Sequence, residues 1–521
     1  MYTYNLGLRF QSVAVPCSDR PAIWLNEHQS LRYGELNALA NQVARLLIDH
    51  GAKAGDVACL SGIKSVETFV TIIACLKLGV IYSVLDPDSP VERLRKILAT
   101  CEPRFLFGTQ RFLEDLQPFV ANLKVQTFEK DTGALTTSVR DYDGTDLSQT
   151  RSVTGANPAY IMFTSGSTGI PKGALITHDS VLNLIEWSQT TFQITNDDRL
   201  TSVNPLHFDN SVFDLYSALF NGASLVPFSK QEITDPKLLV GKLDATACSL
   251  WFSVPSLLIF LQTMKAASGK NLRSIRRFVF GGEGYPKAKL KLLFTTYSTT
   301  AELFNVYGPT ECTCICSVYR VTPADFEDLQ GLPPLGQLAD NFSYLIVDDH
   351  GKLVHPGESG ELCLLGPNVG KGYYNDPERT EKSFVQNPFN SSYPEVMYKT
   401  GDLVRFEPSD GKLYILGRID NQIKHMGYRI ELEEVEAALN CLDYISEAAV
   451  LHARKNELSR LIAVVAAATS FEDETIRTDL KKIIPDYMIP SVFFRETALP
   501  KNPNGKIDRR KLAGTYVDPK G

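Results

Sequence analysis

The sequence predicts an α/β protein with a large domain of sheets covered by helices, a small sheet or β-barrel-like part, and a small C-terminal α+β domain. Up to about Ala301, short apolar runs alternate with stretches of helical periodicity, which is the pattern of parallel strands joined by helices. Beyond Ala301, short strand-like segments separated by Gly, Asp and Pro dominate. The 521 residues also exceed what one hydrophobic core usually supports, so at least two domains are expected.

The elements of the large domain follow in chain order. Apolar residues at helical spacing predict the first helix, and Gly79 ends the second. The polar stretch 131–157 lacks periodicity and predicts a surface connection. The predicted helices cover 33–50, 66–78, 90–99, 180–191 and 286–297, and the predicted strands cover 57–61, 81–85, 158–163, 224–227 and 278–280.

The C-terminal third of the chain predicts a change of architecture. Short strands are expected at 344–347, 361–365, 403–406 and 412–416. The following tail has the pattern of a compact α+β domain, with helices at 433–442 and 476–483 and a strand at 461–468. We therefore predict a large domain over 1–419 and a small mobile domain over 420–521, with a hinge at Asp420.

Composition excludes several classes of function. The net charge is −7 with no long basic stripe, which argues against a general nucleic-acid-binding protein. No apolar run is long enough to span a bilayer, and the N-terminus lacks the pattern of a secretion signal. The ten cysteines show neither a CxxC pair nor a secreted framework. A reducing cytoplasm is the expected compartment.

The stretch TSGSTGIPKG, from Thr164 to Gly173, is the strongest candidate for an anion-binding loop. It follows a predicted buried strand, so it leaves the edge of a sheet where α/β proteins bind ligands. Its glycines let backbone N–H groups approach a phosphate closely, and Lys172 adds a positive charge. The spacing differs from that of a Walker A loop. The alternative is an exposed turn rich in small residues.

Further stretches have the composition of binding sites. The segment NVYGPTE, 305–311, combines an amide, an aromatic ring, a hydroxyl and a carboxylate around a Gly-Pro turn, although such turns are often structural. In YKTGD, Asp402 follows a predicted glycine turn, where it could bind a vicinal diol or cap a helix. The turn 502–506 would hold Lys506 at an exposed tip, where most lysines are simply solvated.

Together these stretches resemble the adenylate-forming enzymes, specifically the amino-acid adenylation domains of nonribosomal peptide synthesis. The resemblance covers most of the chain, and the order of the motifs is more specific than any single motif. The motifs are LKLGVIYSVLDP at 76–87, TSGSTGIPKG, FDNS at 208–211, NVYGPTE, GEL with GKGYY at 360–374, YKTGD, GRIDNQIK at 417–424, and NGKID at 504–508.

The resemblance implies the adenylate-forming enzyme fold and a reaction in two steps. An amino-acid carboxylate attacks the α-phosphorus of ATP, with Mg²⁺ as a second cofactor, and the aminoacyl group then passes to the phosphopantetheine thiol of a carrier protein. A carboxylate is a weak nucleophile, so catalysis is expected from positioning and charge neutralisation. A small accessory activator protein is a further possible partner, and a monomer is expected. No nucleic acid and no membrane are expected as partners.

The resemblance also assigns roles residue by residue. Lys506 would bridge the reacting carboxylate and phosphate, Glu311 would bind Mg²⁺, and Thr310 would contact the adenylate phosphate. The catalytic set is thus Lys506, Lys172, Thr310 and Glu311. The phosphate-binding set is Thr164, Ser165, Gly166, Ser167, Thr168, Gly169 and Lys172, and the remaining nucleotide contacts are Asn305 and Tyr307 on the adenine and Asp402 and Arg418 on the ribose.

Substrate choice is expected to depend on Asp209, which in the family pairs with the α-ammonium group of an amino acid. A carboxylate opposite an ammonium discriminates against plain acids, although Asp209 could also be an ordinary helix N-cap. Because the expected lining is mostly apolar, a small or branched aliphatic side chain is favoured, with threonine and proline left open by Asn210. The other predicted pocket residues are Asn210, Phe213, Phe252, Val279, Gly281, Val306, Cys314 and Ile315.

Two neighbouring features have a structural interpretation. His207 could border the pocket but is predicted to be a hydrogen-bonded structural residue. The residues Cys312, Cys314 and Cys316 alternate, which on a strand would place all of them on one face. No further ligands at zinc-site spacing accompany them, so we interpret them as packing residues, with Cys314 near the substrate.

The sequence contains neither a carrier-protein motif nor a condensation motif, which predicts a free-standing enzyme that loads a separate carrier protein. An excised domain of a larger synthetase would look the same. Two other functions stay open: an acyl- or aryl-CoA ligase of the same superfamily, and a non-catalytic nucleotide-binding homologue. The presence of Lys172, Glu311, Asp402 and Lys506 argues against the last.

Overall fold

The computed structural model describes residues 3–121, 124–166, 169–455, 458–467, 472–501 and 507–517. The chain divides into two compact units. The larger comprises Met1–Pro87, Cys101–Met162 and Gly173–Ile419, and the smaller comprises Asp88–Thr100, Phe163–Lys172 and Asp420–Gly521. The boundary predicted between 1–419 and 420–521 coincides with the end of the larger unit at Ile419. The inner segments Asp88–Thr100 and Phe163–Lys172, however, group with the smaller unit. The assignment of those domains and of a hinge at Asp420 stays a prediction.

The larger unit contains two sheets dominated by parallel strands. In the first of these sheets, the strand order is β6-β5-β3-β4-β7-β8, and all neighbouring strands from β6 to β7 are parallel. The strands β3 and β4 have no exposed residue because helices cover the sheet, as their continuous apolar sequences predicted. The strands are β3 Val57–Ser61, β4 Ile81–Leu85, β5 Phe105–Gly108, β6 Gln126–Glu129, β7 Pro158–Thr164 and β8 Lys172–Thr177.

The second sheet has the order β15-β14-β13-β12-β11-β9-β10-β1-β2. Its inner strands from β13 to β1 are parallel, whereas β2, β14 and β15 are antiparallel additions at the two edges. The strands are β1 Pro21–Asn26, β2 Gln29–Arg32, β9 Arg199–Ser202, β10 Ser224–Pro227, β11 Leu250–Ser253, β12 Arg277–Gly281, β13 Glu302–Tyr307, β14 Ser317–Arg320 and β15 Gln337–Leu338.

The part predicted as a small sheet or barrel is an antiparallel sheet of the order β16-β17-β19-β18, with β20 paired to β19. The predicted glycine turn in YKTGD is wrong, because 398–402 lies inside the strand β19. Gly401 has a φ of 72° there, and the pairing register shifts beside it, which is the geometry of a bulge. The strands are β16 Ser343–Val347, β17 Ser359–Leu365, β18 Phe384–Gln386, β19 Val396–Glu407 and β20 Lys412–Arg418.

Most helices of the larger unit contribute buried apolar residues to its cores. The prediction of a surface connection at 131–157 is partly wrong: it contains a short helix and a 3₁₀ helix, Ser148–Ser152, and buries Leu135, Val139, Leu147 and Val153. The helices are α1 Leu6–Ala14, α2 Tyr33–Asp49, α3 Val66–Leu78, α4 Val91–Cys101 (shared with the smaller unit), α5 Gln110–Val120, α6 Ala134–Ser138, α7 His178–Thr191, α8 Asn210–Leu219, α9 Lys230–Thr234, α10 Pro236–Ala245, α11 Pro255–Thr263, α12 Lys287–Tyr297 and α13 Pro377–Ser383.

The smaller unit has its own apolar core, built from helices packed on a sheet of the order β23-β24-β25 and on the hairpin β21-β22. The α/β fold class with an α+β C-terminal part is thus confirmed. Among the residues that the structure describes, no helix is long and apolar enough to cross a membrane. The elements are β21 Gln422–His425, β22 Tyr428–Glu431, α14 Leu432–Asn440, β23 Glu447–Lys455, β24 Leu458–Ala466, α15 Asp473–Leu480, β25 Val492–Glu496 and α16 Arg509–Tyr516.

Candidate functional site

The predicted anion loop connects β7 to β8 and belongs to the smaller unit. Two of its donors contact protein oxygens there. The Ser165 hydroxyl donates to the carbonyl oxygen of Arg429 at 2.8 Å, and the Gly166 backbone N–H donates to the Glu434 carboxylate at 3.1 Å. The loop therefore already binds a carboxylate oxygen, an acceptor of the same kind as a phosphate oxygen. Ser167 and Thr168 lie outside the described residues.

The charge of the loop is balanced within the same unit. The Lys172 ammonium group lies 3.3 Å from a carboxylate oxygen of Glu431, and Glu434 forms a buried ion pair with Arg93. The Thr164 hydroxyl is buried and has no hydrogen-bond partner in the part of the chain that the structure describes. A hydroxyl in the same loop as N–H and ammonium donors fits a phosphate ligand.

Glu311, the predicted metal ligand, is fully buried in the larger unit. The Tyr373 hydroxyl donates to its carboxylate at 2.7 Å, and the Gly370 N–H donates to its backbone carbonyl at 2.8 Å. The structure thus brings together the NVYGPTE and GKGYY motifs. No group of three or more candidate metal ligands exists among the described residues. One oriented carboxylate fits Mg²⁺, which usually binds one or two carboxylates together with substrate phosphates.

Asp402 is buried and held from two sides. The Tyr307 hydroxyl donates to one carboxylate oxygen at 2.5 Å, and the Arg418 guanidinium donates to the other at 2.7 Å. A carboxylate has about four acceptor positions, so two bonds leave capacity for a ribose diol. The Asn305 amide nitrogen donates to the carbonyl oxygen of Pro334 at 2.9 Å. Tyr307, which is predicted to contact the adenine, therefore also holds Asp402.

Asp209 lies at the N-terminus of α8 and contacts a residue of another motif. The Thr310 hydroxyl donates to its carboxylate at 2.6 Å. The alternative that Asp209 caps the helix is wrong, because its side chain makes no capping hydrogen bond. The predicted ammonium-binding carboxylate and the predicted phosphate-binding hydroxyl are therefore direct neighbours.

The predicted pocket residues lie on neighbouring elements of the larger unit. Neighbouring parallel strands align Phe252 with Val279 and Gly281 with Val306. The rings of Phe213 and Phe252 pack edge to face at 4.9 Å, and Asn210 lies against Gly282. One continuous core contains Phe213, Phe252, Val279, Val306, Cys314 and Ile315.

The alternating cysteines are packing residues, as predicted, because all three are buried in apolar cores, but they do not share one face of a strand. Cys312 ends a 3₁₀ helix, Thr310–Cys312, and Cys314 has a left-handed backbone with a φ of 74°, so these residues do not lie on a strand. Cys314 belongs to the pocket core, whereas Cys312 and Cys316 belong to the core of the β16–β20 sheet. Burial, and then the nearby Asp209 carboxylate, raise the pKa of the Cys314 thiol. All ten cysteines are free thiols.

Several residues near the pocket were not predicted. Asp214 is buried one turn after Asn210 on α8 and accepts from the Asn204 amide at 3.0 Å, and burial raises its pKa. The charge of Lys64 offsets part of this rise in the pKa of Asp214. The helical spacing from Asn210 to Asp214 could have indicated it.

The remaining candidates have simpler surroundings. His207 is half-buried, 3.9 Å from an oxygen of Asp86, and its ring packs on Phe208. The Asp420 carboxylate accepts from the Gln422 N–H at 3.1 Å, as in a turn. Lys506 and its predicted turn at 502–506 lie outside the described residues.

Comparison with protein families identifies the family to which the chain belongs. A sequence model of the AMP-binding enzymes matches residues 10–374, and a model of the AMP-binding enzyme C-terminal domain matches residues 434–506. The chain belongs to the AMP-binding enzyme family. The first match contains the anion loop, Asp209 and Glu311 of this AMP-binding enzyme, and the second contains Glu434.

The curated relatives of this AMP-binding enzyme confirm the resemblance to nonribosomal peptide synthesis. It is 35% identical over 495 residues, 93% of its length, to surfactin synthase subunit 2 of Bacillus subtilis. It is 33% identical over 513 residues, 98% of its length, to gramicidin S synthase 1 of Brevibacillus brevis. The chain spans 13% and 44% of these two proteins, respectively.

Solved structures confirm the adenylate-forming fold. An artificially fused adenylation-PCP di-domain protein from Klebsiella oxytoca superimposes with a TM-score of 0.81 at 21% identity, covering 95% of this chain and 94% of that one. The o-succinylbenzoate CoA synthetase of Bacillus subtilis superimposes with a TM-score of 0.83 at 23% identity, covering 98% of each chain. At these identities the comparisons concern the fold alone.

Proposed function

We propose that this AMP-binding enzyme activates an α-amino acid with ATP and loads it onto the phosphopantetheine thiol of a separate carrier protein. In the first step a carboxylate oxygen bonds to the α-phosphorus of ATP, and the bond from that phosphorus to pyrophosphate breaks. In the second step the thiol sulfur bonds to the carbonyl carbon, AMP leaves, and the thiol proton passes to solvent. The site of action is proposed to be the reducing cytoplasm.

The single observation that supports an amino acid over a plain acid is the contact between Asp209 and Thr310. The two side chains lie 2.6 Å apart at the start of α8, beside the apolar pocket core. An ammonium group on Asp209 would place the attached carboxylate next to the Thr310 hydroxyl. That geometry suits attack on a phosphate held at the same hydroxyl.

The other residues would hold and neutralise the nucleotide. Thr164, Ser165, Gly166 and Lys172 would receive the phosphates, and Asp402, held by Tyr307 and Arg418, would receive the ribose. Mg²⁺ on Glu311 would neutralise phosphate charge as it builds in the transition state. Lys506 is proposed to bridge the reacting groups, and Asp420 to be the hinge of the small domain.

The pocket supports a small or branched side chain. The two phenylalanine rings and the aliphatic residues leave the lining mostly apolar, and a second charged group on the substrate would lose its hydration without a matching partner. Relatives named as peptide synthases, and a neighbour named as an adenylation-PCP protein, support a carrier protein as the acceptor. Free coenzyme A is the acceptor that the competing CoA-ligase function requires.

Amino-acid-dependent exchange of pyrophosphate into ATP tests the proposal. The substrates are the proteinogenic amino acids, D-alanine and matched carboxylic acids that lack the amine. We expect exchange with one or a few small α-amino acids and loss of exchange in Lys506→Ala. Exchange only with acids that lack the amine, followed by transfer to coenzyme A, would instead establish the CoA ligase. No exchange with any acid would contradict both functions and favour the non-catalytic homologue.

A further inference from the structure

Tyr373 is a buried side chain of the GKGYY segment, 370–374, with no assigned role. Its hydroxyl donates to Oε1 of Glu311, the proposed metal ligand, over an oxygen–oxygen distance of 2.7 Å. Both side chains are buried, and both residues belong to the larger unit. The carboxyl torsion of a glutamate is broad when nothing fixes it. A hydrogen bond to one carboxylate oxygen therefore restricts the orientation in which the carboxylate can face a ligand.

Tyr373 is itself held from several sides. Its backbone N–H donates to Oγ1 of Thr380 at 2.9 Å, and its backbone pairs with that of Ala174 in an isolated β-bridge. Its ring packs edge to face on Phe384, with the ring centres 5.5 Å apart. The phenol is therefore a preorganised donor, fixed by groups other than Glu311.

The same segment also holds the backbone of Glu311. The Gly370 N–H donates to the Glu311 carbonyl oxygen at 2.8 Å, and three further backbone hydrogen bonds of 2.8, 3.0 and 2.8 Å join residues 371–374 to residues 173–175 of β8. A Cβ atom at position 370 would lie 2.8 Å from the Leu175 carbonyl oxygen and 3.1 Å from that of Glu311, so this close approach requires glycine. One short segment thus fixes Glu311 at both its backbone and its carboxylate.

This arrangement matches the demands of a magnesium ligand. Mg²⁺ requires near-octahedral geometry with oxygen ligands at about 2.0–2.1 Å, so a carboxylate that rotates freely binds it less well. Ligating carboxylates are accordingly hydrogen-bonded to outer partners, whose loss typically lowers metal affinity or activity about 10- to 100-fold. A hydrogen bond that only supports the fold would instead change stability and leave the metal dependence unaltered.

We propose that Tyr373 is a positioning residue that holds the Glu311 carboxylate in the orientation in which it binds Mg²⁺. The inference rests on the proposed function and deepens it, because it assigns a residue that acts through the proposed metal ligand. In this role the Tyr373 hydroxyl keeps its proton and hydrogen-bonds to Oε1 of Glu311, and it does not bind the metal itself.

Direct binding of ATP to the full-length chain tests this role. Calorimetry without an amino acid gives the dissociation constant of ATP with Mg²⁺ and with excess EDTA. We expect the wild type to bind ATP more tightly with Mg²⁺, and Tyr373→Phe to bind ATP about tenfold more weakly than the wild type in the presence of Mg²⁺. The dissociation constant without metal should be unchanged, which also shows that the variant is folded. In the exchange assay, the Mg²⁺ concentration for half-maximal rate should rise by a similar factor, with an unchanged KM for the amino acid.

Tyr374→Phe, which removes the same atom from the adjacent side chain, is the matched control, because the hydrogen bond to Glu311 comes from Tyr373. It should leave both dissociation constants unchanged. In a Glu311→Gln background, Tyr373→Phe should cause no further loss, because the tyrosine acts through that carboxylate. An equal loss of ATP affinity with and without Mg²⁺, an unchanged Mg²⁺ dependence, or a further loss in the Glu311→Gln background would each overturn the inference.

The choice of substrate separates failure of the proposed function from failure of this inference. If the chain activates only acids that lack the amine, the proposed amino-acid reaction fails, whereas the effect of Tyr373→Phe on Mg²⁺-dependent ATP binding persists. If the wild type binds ATP equally well with and without Mg²⁺, the inference about Tyr373 fails.

Discussion

The ammonium nitrogen of Lys172 lies 3.3 Å from a carboxylate oxygen of Glu431, and the two side chains are only 12% and 9% exposed. The Glu434 carboxylate similarly accepts the Gly166 N–H. The loop proposed to bind ATP phosphates thus has its cation and one backbone donor occupied by carboxylates of the same chain. Phosphate binding must displace these contacts, so the two compete for the same donors.

Glu431→Gln should strengthen ATP binding. The substitution removes the negative charge opposite Lys172 but keeps an amide that can hydrogen-bond. The competing ion pair is partly buried and contributes about 1 kcal/mol. Its loss should therefore lower the KM for ATP in the exchange assay roughly three- to fivefold. Glu447→Gln is the control, because Glu447 also pairs with a lysine in the smaller unit, at 2.5 Å from Lys501. An unchanged or higher KM would show that Glu431 does not compete with phosphate.

Tyr307→Phe should weaken nucleotide binding by releasing Asp402. The buried carboxylate would lose a donor at 2.5 Å and keep only Arg418 on its other oxygen. A hydrogen bond to a charged group contributes about 1.5–3 kcal/mol, so we expect a KM for ATP about tenfold higher or more and a lower melting temperature. Tyr414→Phe removes a comparable bond to exposed Asp410 and should change neither. Equal effects of both substitutions on the KM for ATP would contradict a role of Asp402 in nucleotide binding.

The parallel-sheet regions of the fold were predictable from sequence. The segments 57–61, 66–78, 81–85 and 224–227 have the predicted bounds, because continuous apolar runs and helical periodicity are local signals. The errors lie where tertiary contacts decide the backbone. Gly401 was predicted as a turn residue, but pairing with β17 and β20 draws it into a strand as a bulge.

The site was predictable only as a set of motifs. The motifs named Asp209, Thr310, Glu311 and Asp402, but nothing local in the sequence joins Tyr373 to Glu311 or Thr310 to Asp209, which are 62 and 101 positions apart.

Asp209→Asn should reduce activity toward amino acids far more than toward plain acids. The amide keeps an acceptor for the Thr310 hydroxyl but loses the charge that would pair with the α-ammonium group. Loss of a partly buried charge pair predicts a specificity constant for the best amino acid about 100-fold lower. The constant for the matched acid without the amine should be unchanged or higher. Asp197→Asn, at an exposed ion pair, is the control. A parallel loss for both substrates would contradict ammonium binding.

His178 should make the larger unit less stable at acidic pH. Its ring is fully buried; Nδ1 accepts the Leu6 N–H at 3.0 Å, and Nε2 has no partner in the described part of the chain. Burial lowers the pKa of His178 from 6.5 to about 3. Between these values the unfolded chain binds the proton and the folded chain does not. Stability from the neutral ring is therefore present above pH 6.5 and declines as the pH falls toward 3.

At pH 5 this difference corresponds to about 2 kcal/mol of lost stability. In His178→Asn the side-chain oxygen can replace Nδ1 as acceptor for the Leu6 N–H without binding a proton. We expect the variant to be less stable than the wild type at pH 7.5, because the smaller side chain leaves a cavity. The difference in stability between the two proteins should be smaller at pH 5.0. Melting temperatures at both pH values measure this. His350→Asn, on an exposed side chain, is the control. If the difference in stability between the wild type and His178→Asn is the same at both pH values, the buried ring does not titrate on unfolding.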